Sequence, residues 1–80
     1  MNSTETEQNL RERAGLRRGL PPPAQRKALR QAAALTLDDL ARLVGCTPQA
    51  IALWETGRRE PSEPFLAPYT DALRLARELA

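Results

Sequence analysis

Two helix-start signals, separated by one short turn, constrain the fold of this chain most. Thr36 is followed three residues later by Asp39, a spacing typical of a capping box in which each side chain binds the other residue's backbone N–H. Thr47 is followed directly by Pro48, which is favoured in the first turn of a helix. Gly45 stands where the first helix should end, because glycine adopts the left-handed conformation at little cost. The pattern therefore predicts two short helices joined by a glycine turn.

Apolar residues on these two helices are spaced so that they can meet across the turn. The inward positions are Leu37, Leu40, Ala41 and Val44 on the first helix and Ile51 and Trp54 on the second. A turn this short makes the helices cross steeply, which predicts a helix-turn-helix at about 36–56, ended by Gly57. The opposite face of the second helix carries Gln49, Ala52, Leu53 and Thr56.

The rest of the chain predicts further helices and hence an all-α fold. Alanine and leucine dominate, while the β-branched valine and isoleucine are scarce. A helix should begin near Pro23, and its apolar stripe should be Ala24, Ala28, Leu29, Ala32 and Ala33, opposite a polar face of Arg26, Lys27, Arg30 and Gln31. For the last helix we favour a start at Pro68 after a turn at 62–66, and the alternative is a helix from about Ser62 that is kinked at Pro68.

The residue content excludes most catalytic and metal chemistry. The 80 residues suffice for one small domain and include no histidine. The single Cys46 cannot form an internal disulfide or a zinc site alone. We therefore expect no enzyme activity, no cofactor and no metal site. No apolar run approaches the ~20 residues that cross a bilayer, and the polar start lacks the features of a signal peptide, so we expect a cytoplasmic protein without a membrane partner.

Charge and polarity divide the chain into two parts. Residues 1–22 are expected to form a polar extension that is flexible or partly helical, and residues 23–80 to form the domain. Within the extension, a frayed helix over 7–18 and disorder are equal alternatives. The net charge is only +2, but residues 21–60 carry six basic and four acidic side chains. A polyanion should therefore meet the middle of the chain.

The segment LTLDDLARLVGCTPQAIALWETGRREP, residues 35–61, resembles the helix-turn-helix of the lambda-repressor/Cro-like, or XRE-type, transcriptional regulators. The resemblance covers the Leu-Ala pair, the glycines, the second cap, the Ile, the Trp-Glu pair and the final proline, and it extends more loosely over 24–80. It implies a compact lambda-repressor-like bundle of four to five short helices. It further implies a sequence-specific regulator, a small repressor or Cro-like switch protein, whose helix 47–56 enters the DNA major groove.

The resemblance also implies which residues meet DNA. In the major groove Gln49 can pair with adenine, whereas Ala52 and Leu53 offer only apolar contacts to thymine methyl groups. Arg58 and Arg59 follow the helix and are expected to contact phosphates. The full expected set is Thr36, Thr47, Pro48, Gln49, Ala52, Leu53, Thr56, Arg58 and Arg59. Arg30 and Glu55 are implied to form a structural ion pair. From the sequence itself we expect Trp54 to lie in the core and Cys46 to be a small buried hydrophobe.

Double-stranded DNA with a palindromic operator is the partner that the resemblance implies. Leu75 lies off the apolar stripe of the last helix, and together with Leu79 it could pack against a second copy of the chain in a homodimer. A second reading is a protein-interaction module on the same fold, such as an antitoxin or an adaptor for a larger regulator. The apolar Ala52 and Leu53 on the outward face and the low net charge motivate that alternative.

Overall fold

The computed structural model describes residues 6–8, 10–11 and 19–80, which contain helices, turns and loops and no strand. The four helices with defined bounds are α1 Pro23–Ala32, α2 Leu37–Val44, α3 Pro48–Thr56 and α4 Leu66–Leu79. The predicted all-α fold is confirmed. Residues 6–8 and 10–11 are helical, and the rest of the predicted 7–18 helix lies outside the described residues. In the described part of the chain, no helix is both long and apolar enough to span a bilayer.

The starts of α2 and α3 follow from local side-chain chemistry, as predicted. Thr36 and Asp39 form a complete capping box, in which the Asp39 N–H donates to Thr36 Oγ1 at 3.0 Å and the Thr36 N–H donates to Asp39 Oδ2 at 2.9 Å. Thr47 caps α3 by accepting from the Ala50 N–H at 3.2 Å, and Pro48 is the first helical residue. These caps fix where α2 and α3 begin.

Three successive helices end in the same left-handed turn. Ala34 (φ 57°), Gly45 (φ 85°) and Gly57 (φ 76°) follow α1, α2 and α3 respectively. At α1, the Leu35 N–H returns to the Arg30 carbonyl at 3.0 Å, which is the bond of a Schellman motif. Gly57 is favoured by its positive φ, and a Cβ at this position would also make a tight contact, 3.2 Å from Pro23 Cγ. The end of α3 therefore packs directly on the start of α1.

The core lies between the helices, where α1 and α2 each pack against both α3 and α4. Its buried side chains are Leu40, Ala41, Val44, Ile51, Trp54, Tyr69, Ala72 and Leu73. Trp54 is buried as predicted, with its ring 4.8 Å from that of Tyr69 and 6.1 Å from that of Phe65. Cys46 is half-buried rather than buried, and desolvation raises the pKa of its thiol.

The prediction for the inward face of α1 is wrong. Arg26 and Arg30, which were expected on the polar face, are buried, whereas Ala24, Ala28 and Ala32 are exposed. Alanine side chains gain little from burial, so an alanine stripe does not determine which side of a helix faces inward. The two arginines instead face inward because their guanidinium groups find carbonyl and carboxylate partners there.

The predicted start of the last helix is also wrong by two residues. The helix α4 begins at Leu66, and Pro68 occupies its third position. A proline there costs no intrahelical hydrogen bond, because the first N–H groups of any helix lack a partner within it. The Tyr69 N–H already binds the Phe65 carbonyl at 2.9 Å, so the helix continues through the proline without a break.

Candidate nucleic-acid interface

The core fixes which side of α3 is presented to a partner. Ile51 and Trp54 are 0% and 5% exposed and lie in one cluster with Leu40 and Val44 of α2. Because these side chains set the rotation of the helix, its opposite side faces away from the bundle. On that side Gln49 and Thr56 are exposed, and Ala52 and Leu53 are half-buried.

The amino-terminal turn of α3 carries two side chains that can form hydrogen bonds with a partner, Thr47 and Gln49. Thr47 is exposed, and its hydroxyl oxygen accepts the capping bond, so its hydroxyl hydrogen remains available to donate. Pro48 is half-buried and has no N–H. The Gln49 amide offers both a donor and an acceptor, the combination that matches the major-groove edge of adenine. The first turn of α3 therefore places the hydroxyl of Thr47 near the side-chain amide of Gln49, and both side chains are exposed.

Thr56, at the other end of the helix, has its proton already committed. Its Oγ1 donates to the Leu53 carbonyl at 3.0 Å. A phosphate oxygen is also an acceptor, so Thr56 cannot donate to phosphate while this bond persists. Thr56 is thus placed at the expected surface but without a free donor in this conformation.

The start of α2 is acidic rather than phosphate-binding. Thr36 and Asp39 bind each other, and the hydrogen bond from the Thr36 N–H holds the pKa of Asp39 below its ordinary value. Asp38 is also exposed and pairs with Arg42 at 3.0 Å. Leu37 is half-buried against the core. The two carboxylates at the start of α2 would repel a phosphate there. The positive charge beside α3 therefore comes from the loop that follows this helix.

Arg58 and Arg59 supply that positive charge. Both are exposed, and within the described ranges neither has a carboxylate within ion-pair distance. Their backbone N–H groups both donate to the Leu53 carbonyl, at 3.1 and 3.4 Å, so the loop turns back on the last turn of α3. Two unpaired guanidinium groups therefore stand directly beside the helix that carries Gln49.

Arg30 and Glu55 lie behind this surface. The Arg30 Nε donates to Glu55 Oε2 at 2.6 Å and its Nη2 donates to Oε1 at 2.9 Å, while Nη1 donates to the Leu35 carbonyl at 3.0 Å. The hydrogen bond with Glu55 raises the pKa of the Arg30 guanidinium. The side chains are 11% and 4% exposed. The pair joins α1 to α3 within the bundle and is not available to DNA.

Sequence reasoning missed Arg26, whose guanidinium makes four hydrogen bonds within the described residues, one more than that of Arg30. It is 4% exposed and binds Glu60, the Trp54 carbonyl and the Pro21 carbonyl. A signal was present, because Arg26 precedes Arg30 by four residues. Residues at that spacing share one helix face, so an inward Arg30 places Arg26 inward as well.

Comparison with known proteins agrees with this arrangement. A family model described as a helix-turn-helix domain matches residues 25–80, which include all four defined helices except the first two residues of α1. No curated protein and no solved structure gave a significant match.

Proposed function

The chain belongs to the helix-turn-helix family of XRE/Cro-like type, and from this premise we propose that it is a transcriptional regulator that binds specific sequences in double-stranded DNA. The observation that supports the proposal most is the outward side of α3, where the exposed Gln49 lies on a helix held by the core. Two exposed arginines follow that helix, and neither has an ion-pair partner in the part of the chain that the structure describes. In this class of domain, the second helix of the motif lies in the major groove, and its amino-terminal residues contact base edges.

Side chains on the outward side of α3 and in the loop after it then have separate roles. Gln49 reads an adenine, while Pro48, Ala52 and Leu53 contact thymine methyl groups. The hydroxyl hydrogen of Thr47 and the guanidinium groups of Arg58 and Arg59 bind phosphates. Thr36 has no such role in the proposal, because Asp38 and Asp39 at the start of α2 repel phosphate.

A homodimer on a palindromic operator completes the proposal, in the manner of a small repressor or Cro-like switch protein. Leu75 and Leu79 of α4 are 38% and 59% exposed and offer apolar surface to a second copy. A dimer doubles the number of phosphate contacts, which compensates for the small net charge of +2. We propose that the regulator acts in the cytoplasm, where it meets its operator.

The proposal is tested by titrating a labelled duplex from the region upstream of the protein's own gene and following fluorescence anisotropy. Binding should be measurable at low salt, and the association constant should fall steeply as salt rises, because bound phosphates release counterions. Absence of binding even at about 0.05 M salt would refute the proposal, since electrostatic DNA binding is strongest under those conditions.

Gln49→Ala is expected to relax specificity at one base pair. Loss of a bidentate pair should reduce discrimination at an A·T position by about 1–3 kcal/mol, with little change elsewhere in the site. Measured affinities for single-base variants of the operator check this. Gln31→Ala, at an exposed glutamine of α1, is the matched control and should leave discrimination intact. If the two variants discriminate between operator bases equally well, Gln49 does not contribute to base recognition.

A second candidate function is a protein-interaction module, such as an antitoxin or adaptor. It is favoured by Ala52 and Leu53, which are apolar and lie half-buried on the outward side of α3. Leu53→Asp separates the two functions when it is compared with the double substitution Arg58→Ala/Arg59→Ala. If a stoichiometric protein partner is lost with Leu53→Asp but kept with the arginine variant, the interaction module is favoured. If DNA binding is lost with the arginine variant, the regulator is favoured.

A further inference from the structure

One buried guanidinium joins three segments around the end of α3. The Arg26 Nε donates to the Pro21 carbonyl at 2.7 Å, and its Nη1 donates to the Trp54 carbonyl at 3.0 Å. Its Nη2 donates to Glu60 Oε2 at 3.0 Å, while Nη1 also reaches Oε1 at 3.5 Å. One buried side chain therefore binds the residues before α1, the last turn of α3 and the loop after α3.

The hydrogen bond from Arg26 supplies a partner for the Trp54 carbonyl at the end of α3. The last carbonyls of a helix lack partners within the helix, and the helix dipole makes that end negative. Leu53 receives the N–H groups of Gly57, Arg58 and Arg59, and the Trp54 carbonyl is bound by Arg26. A buried positive charge therefore caps the carboxyl end of the helix that carries Gln49.

Glu60 is the unexpected member of this cluster. Its side chain is 60% exposed and comes directly after Arg58 and Arg59. A carboxylate at that position repels phosphate, so its charge alone is unfavourable for a surface that binds DNA. Its contact with Arg26 has a compensating effect, because it holds the far end of the loop whose near end is bound to the Leu53 carbonyl.

We propose that Arg26 and Glu60 are positioning residues, which hold the loop of Arg58 and Arg59 in the conformation that meets the DNA backbone. The inference rests on the proposed DNA-binding function and adds the device that orients its phosphate contacts. The loop is fixed before DNA arrives, so its ordering does not reduce the affinity.

Positioning and simple electrostatics predict opposite results for Glu60→Gln. Removal of a negative charge beside phosphates should strengthen DNA binding if charge alone matters. If Glu60 positions the loop, its release should weaken binding. A loop that occupies the binding conformation for about 10–30% of the time binds roughly 3- to 10-fold more weakly, and this is the loss that we expect.

Two further variants isolate the cause. Glu63→Gln neutralises a nearby exposed carboxylate that forms no ion pair within the described residues, and it should leave affinity unchanged or slightly raised. Glu60→Asp keeps the charge but shortens the reach to Arg26, so it should weaken binding as Glu60→Gln does. Circular dichroism and thermal unfolding check that each variant is folded at the temperature of the titration.

The experiment measures anisotropy titrations of all three variants and of the unchanged chain with the same duplex over a range of salt. Weaker binding by both Glu60 variants, with a flatter salt dependence than the unchanged chain, supports the proposal, because phosphate contacts set that slope. Binding by Glu60→Gln that equals or exceeds that of Glu63→Gln would overturn it. If the unchanged chain itself binds no duplex, the proposed function fails instead, which keeps the two failures distinct.

Discussion

Glu55→Gln is expected to lower the free energy of unfolding by about 3–5 kcal/mol, because it leaves the Arg30 guanidinium buried without its counter-charge. A small domain has about 5–15 kcal/mol in total, so the variant should be close to unfolding at physiological temperature. Urea denaturation followed by the fluorescence of Trp54, the single tryptophan, measures the change because that side chain lies in the core.

Two controls test whether the loss of stability in Glu55→Gln comes from the burial of the pair or would follow the loss of any ion pair. Asp71→Asn breaks a pair with Arg74 whose side chains are about 70% exposed, and the expected change is within about 0.5 kcal/mol. The double substitution Arg30→Met/Glu55→Met should recover most of the loss, because apolar side chains of similar volume can replace a buried pair. A loss below about 1 kcal/mol for Glu55→Gln would contradict a structural role for the pair.

Arg58→Ala/Arg59→Ala is expected to weaken binding to every duplex by a similar factor, roughly 10- to 100-fold, because contacts to charged groups contribute about 1 kcal/mol or more each. The slope of log association constant against log salt should become shallower by about 1.8, which corresponds to two phosphate contacts. Stability should hardly change, since both side chains are exposed. Anisotropy titrations between low and moderate salt measure both quantities.

The matched control is Arg74→Ala/Arg77→Ala, which removes the same number of positive charges from the protein. These arginines lie beside Gly19 and Leu29, on the side of α4 that faces α1. If overall charge governed binding, the two double variants would bind equally weakly. We expect the α4 variant to keep most of its affinity and salt slope, and an equal loss in both would contradict a localised phosphate contact.

The helix-turn-helix could be predicted because its signals are local. The capping box of Thr36 and Asp39, the Thr47-Pro48 start and the glycines at 45 and 57 each act within one helical turn, and all have the geometry that their spacing predicted. The start of α4 was missed for an equally local reason, since proline is tolerated at several first-turn positions and marks no single one of them.

The spacing of Arg26 from Arg30 indicated that its side chain faces inward, but the partners of Arg26 could not be predicted from local pattern. Its partners Trp54 and Glu60 lie 28 and 34 residues away in sequence, and hydrophobic periodicity assigns an arginine to the solvent side. Its burial depends on carbonyl and carboxylate groups that only the folded chain brings together. The resemblance implied the neighbouring pair of Arg30 and Glu55 but gave no indication of this second one.

Selection of bound sequences from a pool of random duplex DNA tests directly whether α3 reads base sequence in the major groove. The predicted result is a short enriched motif, arranged as an inverted repeat, with an A·T position whose preference disappears when Gln49→Ala is selected in parallel. A pool that remains unenriched after several rounds at low salt would contradict sequence-specific DNA binding by α3.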